Sequence, residues 1–200
     1  DWREKVVFVL VVVPSRQIIT KYGERRKLIE ELVGSLNGKY STLSWQPIIY
    51  RYNHLSFVEL SALYQASDLG MITPLRDGMN LVSKEYVASR EEQGVLILSE
   101  FAGAANEMGE ALLVNPLDKN EVAQAILTGL TMPPEEQKTK IQILQNRLKD
   151  YTVLHWVNDF LKQLDEVKEY QRSQITKHIT TDEIATIGEN FKRADKRHLF

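Results

Sequence analysis

Asp77, Gly78, Asn80, Leu81 and Glu85 fall within nine residues of one another, and their types suit the binding of a phosphorylated sugar. In front of them Leu69-Gly70-Met71-Ile72 reads as a short buried strand, and behind them Leu81 to Arg90 reads as a helix. A strand–turn–helix aims the first free N–H groups of its helix at the carboxyl end of a sheet. Those N–H groups, with the helix dipole, make an anion site suited to phosphate. Gly78 has no Cβ, so the backbone there can come close to a ligand. Asp77 puts a carboxylate at the same mouth, where sugar hydroxyls could donate to it. Glu85 lies four residues after Leu81 and shares its helix face. From there it could accept hydrogen bonds from a ribose while the amides around Leu81 hold a diphosphate. A strand, an Asp-Gly turn and a helix also recur throughout doubly wound folds. On spacing alone, Asp77 reads equally as a turn former and Glu85 as a solvated helix charge.

The rest of the chain must position that turn. Val6 to Val13 is an unbroken apolar run, read as a strand buried on both faces of a parallel sheet. The chain thus begins almost inside a strand, as a fragment of a longer protein would. Pro14-Ser15-Arg16 closes the strand at the sheet edge that carries the Asp77 turn. Arg16 is either a fork of donors for a phosphate or an ordinary exposed charge, the more economical reading of the spacing. Glu24 to Leu36 has a helical apolar stripe, with Asn37-Gly38 as its stop. Ile48 to Tyr52 is a second strand. Ser56 with Glu59 makes a capping box for a helix through Gln65. Val95 to Leu98 is a further strand, followed by the small-residue run Ser99 to Glu107, for which close packing is the simpler explanation. Ala111 to Val114 is the next strand, and Asp118 with Glu121 caps a helix through Leu130. This alternation indicates an α/β fold, a parallel sheet flanked by helices with right-handed crossovers. Three helices without strands end the chain: from Pro133-Pro134 toward Lys149, from Thr152 toward Arg172, and from Thr181-Asp182 to about Arg193.

Bulk properties narrow the function classes. The 200 residues are 43% hydrophobic and 26% charged, as in soluble globular proteins, and the formal net charge is −2. Neither a nucleic-acid nor an acidic-lipid partner is indicated. There is no cysteine, which excludes disulfides and thiolate metal sites. No apolar run is long enough for a membrane span, and a cytoplasmic location is the default. There is no P-loop, G-x-G-x-x-G, G-x-S-x-G, D-x-D or H-E-x-x-H. His54, His155, His178 and His198 are scattered, and each reads as a surface or packing residue. One phosphate-type site without an evident nucleophile or metal fits a sugar-nucleotide binder better than a hydrolase.

The run T-P-L-R-D-G-M-N-L-V-S-K-E-Y-V at Thr73 to Val87 resembles the signature of trehalose-6-phosphate synthases. So do S-E-F-A-G-A-A-N-E at Ser99 to Glu107, L-V-N-P at Leu113 to Pro116, N-G-K-Y at Asn37 to Tyr40 and P-S-R at Pro14 to Arg16, in order and at compatible spacing. Those enzymes are retaining glycosyltransferases of the two-Rossmann-domain GT-B type. They move glucose from UDP-glucose to glucose 6-phosphate, giving trehalose 6-phosphate and UDP.

The resemblance implies a Rossmann-like, carboxyl-terminal, donor-binding half of such an enzyme. Residues 1–150 would form the UDP-glucose domain, truncated at its amino-terminal side. Residues 151–175 would form the helix crossing back to the other domain, and 176–200 a linker. Asp77 would bind hydroxyls of the transferred glucose, and Gly78, Met79 and Asn80 would line the sugar and pyrophosphate. The Leu81 and Val82 amides would hold the phosphates and Glu85 the ribose. Leu55 and Leu60 would shelter the uracil, with main-chain bonds near Leu55. Arg16 would grip the phosphate of glucose 6-phosphate, against the bland reading above. No metal and no cofactor is implied. The family's R-L-D-Y-x-K-G-like segment and its amino-terminal acceptor domain, with the catalytic histidine, are not in this chain. The catalytic set is therefore incomplete, and these residues alone should not turn over. Apolar surface meant for the missing domain could drive self-association into an oligomer. The ending K-R-H-L-F resembles the lead-in to a fused trehalose-phosphatase domain. Two other readings stay open. One is a non-catalytic regulatory relative that senses UDP-glucose or sugar phosphate. The other is a sister transferase making glucosylglycerol phosphate.

Overall fold

The computed structural model describes residues 2–14, 20–175 and 179–195. In chain order the elements are β1 (Phe8–Val11), α1 (Thr20–Tyr40), β2 (Ile48–Arg51), α2 (Phe57–Ala66), β3 (Leu69–Ile72), α3 (Leu81–Ser89), β4 (Val95–Ser99), a 3-10 turn (Gly103–Asn106), β5 (Leu112–Val114), α4 (Lys119–Thr131), α5 (Pro134–Asp150), α6 (Val153–Ile175) and α7 (Thr181–Arg193). The chain divides into two compact units, Asp1–Ile141 and Gln142–Phe200.

Among the described residues all strand pairing is parallel, as the alternation of elements requires, but it falls into two sheets. One has the order β1-β2 and the other β3-β4-β5. β4 is the central strand of the larger sheet, and Val95, Leu96, Ile97, Leu98 and Ser99 are all buried. Burying each large side chain there contributes about 1.5–3 kcal/mol, which makes β4 the anchor of the unit. Successive side chains leave a strand on opposite faces. On one face of β3, Gly70 meets the ring of buried Tyr86 from α3. On the other, Leu69 and Met71 pack with Ile97, Val114 and Ala125, the last from α4. Helices thus cover both faces, the doubly wound arrangement that places loops at the carboxyl ends of the strands.

The smaller sheet departs from the sequence reading. The strand expected over Val6 to Val13 is only Phe8–Val11, and it is not buried on both faces: Phe8 and Val9 are each 38% exposed. β1 pairs with β2 alone, and α1 is the helix packed against this sheet among the described residues, so its apolar run outstrips its cover. The expected stop at Asn37-Gly38 is also absent, and α1 continues to Tyr40. Asn37 serves another purpose. Its Oδ1 accepts from the Ile48 N–H at 3.1 Å and its Nδ2 donates to the Ile48 carbonyl at 2.9 Å, clamping the start of β2 to the helix.

The capping box at Ser56 and Glu59 is present, and Asp118 caps α4 by accepting from the Asn120 and Glu121 amides. In the second unit, α6 carries its expected apolar stripe, with Leu154, Val157, Phe160, Leu161 and Leu164 exposed. Trp156 stacks on Phe160 with 5.6 Å between ring centroids. α7 begins with a second capping box, formed by Thr180 and Glu183. Among the described residues no helix is long and apolar enough to cross a membrane.

Candidate functional site

The turn between β3 and α3 is built by its own polar side chains. Asp77 Oδ1 accepts from the Met79 N–H at 3.2 Å and the Asn80 N–H at 3.1 Å. Asp77 Oδ2 accepts from Asn80 Nδ2 at 3.0 Å. Asn80 adopts φ 70°, ψ 79°, the left-handed region that asparagine tolerates better than most residues. Its Oδ1 caps α3 by accepting from the Ser83 N–H at 2.9 Å, and the Ser83 hydroxyl donates back to the Asn80 carbonyl at 2.8 Å.

The segment after β4 holds this turn from behind. Gly103 N–H donates to the Asp77 carbonyl and Ala104 N–H to the Met79 carbonyl, both at 2.9 Å. A Cβ on Gly103 would stand 2.1 Å from the Gly78 carbonyl oxygen, so only glycine permits the approach. The small-residue run is thus explained by packing, as its composition suggested, and the partner is the Asp77 turn itself. Lys84 and Glu107 add an ion pair at 2.5 Å between α3 and the end of that run.

On the outer side the site is open. Leu81 and Val82 are exposed, and among the described residues no acceptor meets either N–H. These two amides are the orphan donors that a helix start presents. Gly78 needs to be glycine for none of the protein's own purposes: a Cβ there would meet nothing within 4 Å. Glu85 lies one turn along the Leu81 stripe, exposed, with the Tyr64 hydroxyl of α2 at 3.5 Å from its carboxylate. Burial, together with the Glu85 charge, pushes the Tyr64 phenol up to about 12. Tyr64 rests edge-on against Tyr86, with ring centroids 6.1 Å apart.

The structure therefore brings Asp77, Gly78, Met79, Asn80, Leu81 and Val82 into one hydrogen-bonded corner, with Glu85 beside it. The Asp77 carboxylate is already engaged by three protein donors, and the Met79 and Asn80 amides are engaged by Asp77. A carboxylate has about four lone-pair directions, so one remains for an outside donor. Leu55 and Leu60 are half-buried at the head of α2, which packs beside α3. The Leu55 main chain makes no hydrogen bond with the described residues. Arg16 lies outside the described residues. No group of three His, Asp or Glu side chains with metal-binding proximity occurs among the described residues. Sequence reasoning passed over Ser83, Tyr64 and Gly103. The Asn-x-x-Ser spacing of a helix cap would have found the first.

Comparison with known proteins finds matches over most of the chain. The profile of glycosyltransferase family 20 matches residues 1–166. A bifunctional trehalose-6-phosphate synthase/phosphatase of Thermoproteus tenax is 43% identical over all of this chain, which covers 28% of that protein. A UDP-forming alpha,alpha-trehalose-phosphate synthase of Dictyostelium discoideum is 40% identical, again over the whole chain and 27% of the relative. Among solved structures, a UDP-forming trehalose-phosphate synthase from Burkholderia xenovorans superposes with a TM-score of 0.78 at 38% identity, covering 84% of this chain and 38% of that one. An E. coli trehalose-6-phosphate structure bound with UDP-2-fluoro glucose superposes with a TM-score of 0.77 at 39% identity, covering 82% of this chain and 37% of that one. The chain thus spans little more than a quarter of these curated relatives and under two fifths of these solved chains. With its parallel sheets, its helix-headed turn and a match over 166 residues, the chain belongs to glycosyltransferase family 20.

Proposed function

We propose that the protein carrying this chain transfers glucose from UDP-glucose to glucose 6-phosphate, giving trehalose 6-phosphate and UDP, with retention and without a metal. This chain contributes the donor-binding half, and the acceptor domain comes from the rest of the protein. The observation that carries the reading is the pair of unpartnered N–H groups of Leu81 and Val82, set directly behind the Asp77 turn. Relatives named as UDP-forming trehalose-phosphate synthases support the substrate class.

In this reading the two amides hold the diphosphate, and Glu85 accepts from the ribose hydroxyls. Leu55 and Leu60 shelter the uracil, whose edge the free Leu55 main chain meets. Asp77 uses its remaining lone-pair direction for a glucose hydroxyl, with Gly78, Met79 and Asn80 forming the wall. Arg16 grips the acceptor phosphate. The acceptor hydroxyl attacks from the face that the diphosphate leaves, and a leaving phosphate oxygen takes its proton. Charge then develops on the diphosphate, where fixed N–H groups stabilise it most. Holding two substrates in register supplies much of the remaining rate.

The test is UDP release from UDP-glucose by the full-length protein, with glucose 6-phosphate as acceptor and EDTA present. Asp77→Ala and Glu85→Ala should each lower kcat/KM by at least about tenfold, the effect of losing a charged hydrogen bond. Near-normal rates in both variants would remove the site assignment. Turnover with glycerol phosphate in place of glucose 6-phosphate would redirect the acceptor.

A further inference from the structure

Asn80 stands apart from the other residues of the corner. It is 7% exposed, and both polar atoms of its side chain are engaged by the protein. A side chain so enclosed has little left for a ligand, yet it touches both halves of the site. We propose that Asn80 is the positioning residue of the donor site. Its amide nitrogen fixes the Asp77 carboxylate, its amide oxygen caps α3 at Ser83, and the left-handed backbone between them turns the Leu81 and Val82 N–H groups to the same mouth.

Three features support this assignment. Among the described residues no cation meets the Asp77 carboxylate; its partners are two backbone amides and the Asn80 amide group. Of these, Asn80 Nδ2 alone holds Oδ2. The φ of 70° excludes most side chains at this position, and of those that tolerate it only Asn offers a donor and an acceptor together. The Ser83 hydroxyl returns a bond to the Asn80 carbonyl, so the cap and the turn are locked as one unit. Glycine at position 80 would keep the backbone, and aspartate would keep the cap. Neither would keep the link to Asp77.

The inference rests on the donor-site reading above, and the experiment separates the two. In the full-length protein, Asn80→Asp retains the left-handed backbone and the acceptor for Ser83, but sets two carboxylates against each other. The KM for UDP-glucose should rise by at least about tenfold, with the KM for glucose 6-phosphate within about twofold of the parent. Adding Asp77→Asn exchanges donor and acceptor across the same contact. The double variant should regain the unfolding temperature lost in Asn80→Asp, while its KM for UDP-glucose stays raised because the Asp77 carboxylate is gone. An unchanged KM in Asn80→Asp, equal rises for both substrates, or no recovery of unfolding temperature in the double variant would overturn the proposal. If the parent neither binds UDP nor releases it from UDP-glucose, the donor reading fails. The Asn80–Asp77 link is then judged by the recovery of unfolding temperature alone.

Discussion

Two glycines of the corner, Gly78 and Gly103, should respond to the same substitution in opposite ways. A Cβ on Gly103 would lie 2.1 Å from the Gly78 oxygen, 2.7 Å from its carbonyl carbon and 3.3 Å from the Met79 nitrogen. Ordinary contact needs roughly 3.5 Å, so one backbone must retreat by more than about 1 Å. That shift strains or breaks the 2.9 Å bonds from Gly103 to Asp77 and from Ala104 to Met79. Overpacking costs about 1–3 kcal/mol and each lost hydrogen bond about 1 kcal/mol, so Gly103→Ala should destabilise by about 3 kcal/mol. Displacing the turn by that distance should also lower the transfer rate by about a hundredfold. Gly78→Ala meets nothing within 4 Å and needs no left-handed backbone. Its stability should change by no more than about 0.5 kcal/mol. Its methyl group, however, enters the open space assigned to the donor, and the KM for UDP-glucose should rise by at least about tenfold. Denaturant unfolding and UDP-release kinetics of the full-length variants, measured side by side, check both. Equal loss of stability in the two variants, or a normal donor KM in Gly78→Ala, would refute the division between a glycine kept for packing and a glycine kept for ligand.

Burial pushes the Tyr86 phenol up to about 12, opposed by the nearby Arg90 charge. The unfolded chain ionises this group near pH 10, so Tyr86 favours the folded state fully below pH 10. That share is lost as pH rises from 10 to 12, by at most about 2.7 kcal/mol. Tyr86→Phe should therefore show a shallower alkaline loss of stability than the parent, and identical slopes would contradict the assignment. Asn37→Ala removes both bonds to Ile48 and should cost about 1–3 kcal/mol in urea unfolding, while the donor KM stays unchanged. A change in donor KM would mean that the two sheets are coupled through that clamp.

The segment from Leu69 to Ser89 was legible because every local signal agreed: an apolar strand, an Asp-Gly turn and a helix behind it. The capping box at Ser56 and Glu59 was legible for the same reason. The burial of β1 was not, because an apolar run records what a strand is built to meet and says nothing of whether this chain supplies the cover. Asn37-Gly38 has the residues of a helix stop, yet the bonds from Asn37 to Ile48, eleven positions on, outweigh the local preference. On spacing alone Asp77 reads equally as a carboxylate at the mouth of the site and as a turn former. Its engagement by the turn follows from the short reach of aspartate to amides two and three residues ahead, a local competition that spacing alone does not rank.

The central claim is that the Leu81 and Val82 amides are held in reserve for a diphosphate, and amide hydrogen exchange in the full-length protein, with and without saturating UDP, tests it directly. UDP should slow exchange at Leu81 and Val82 by at least about tenfold. Amides already engaged by Asp77, at Met79 and Asn80, should change less. Saturating UDP that leaves exchange at Leu81 and Val82 unaltered would contradict the account.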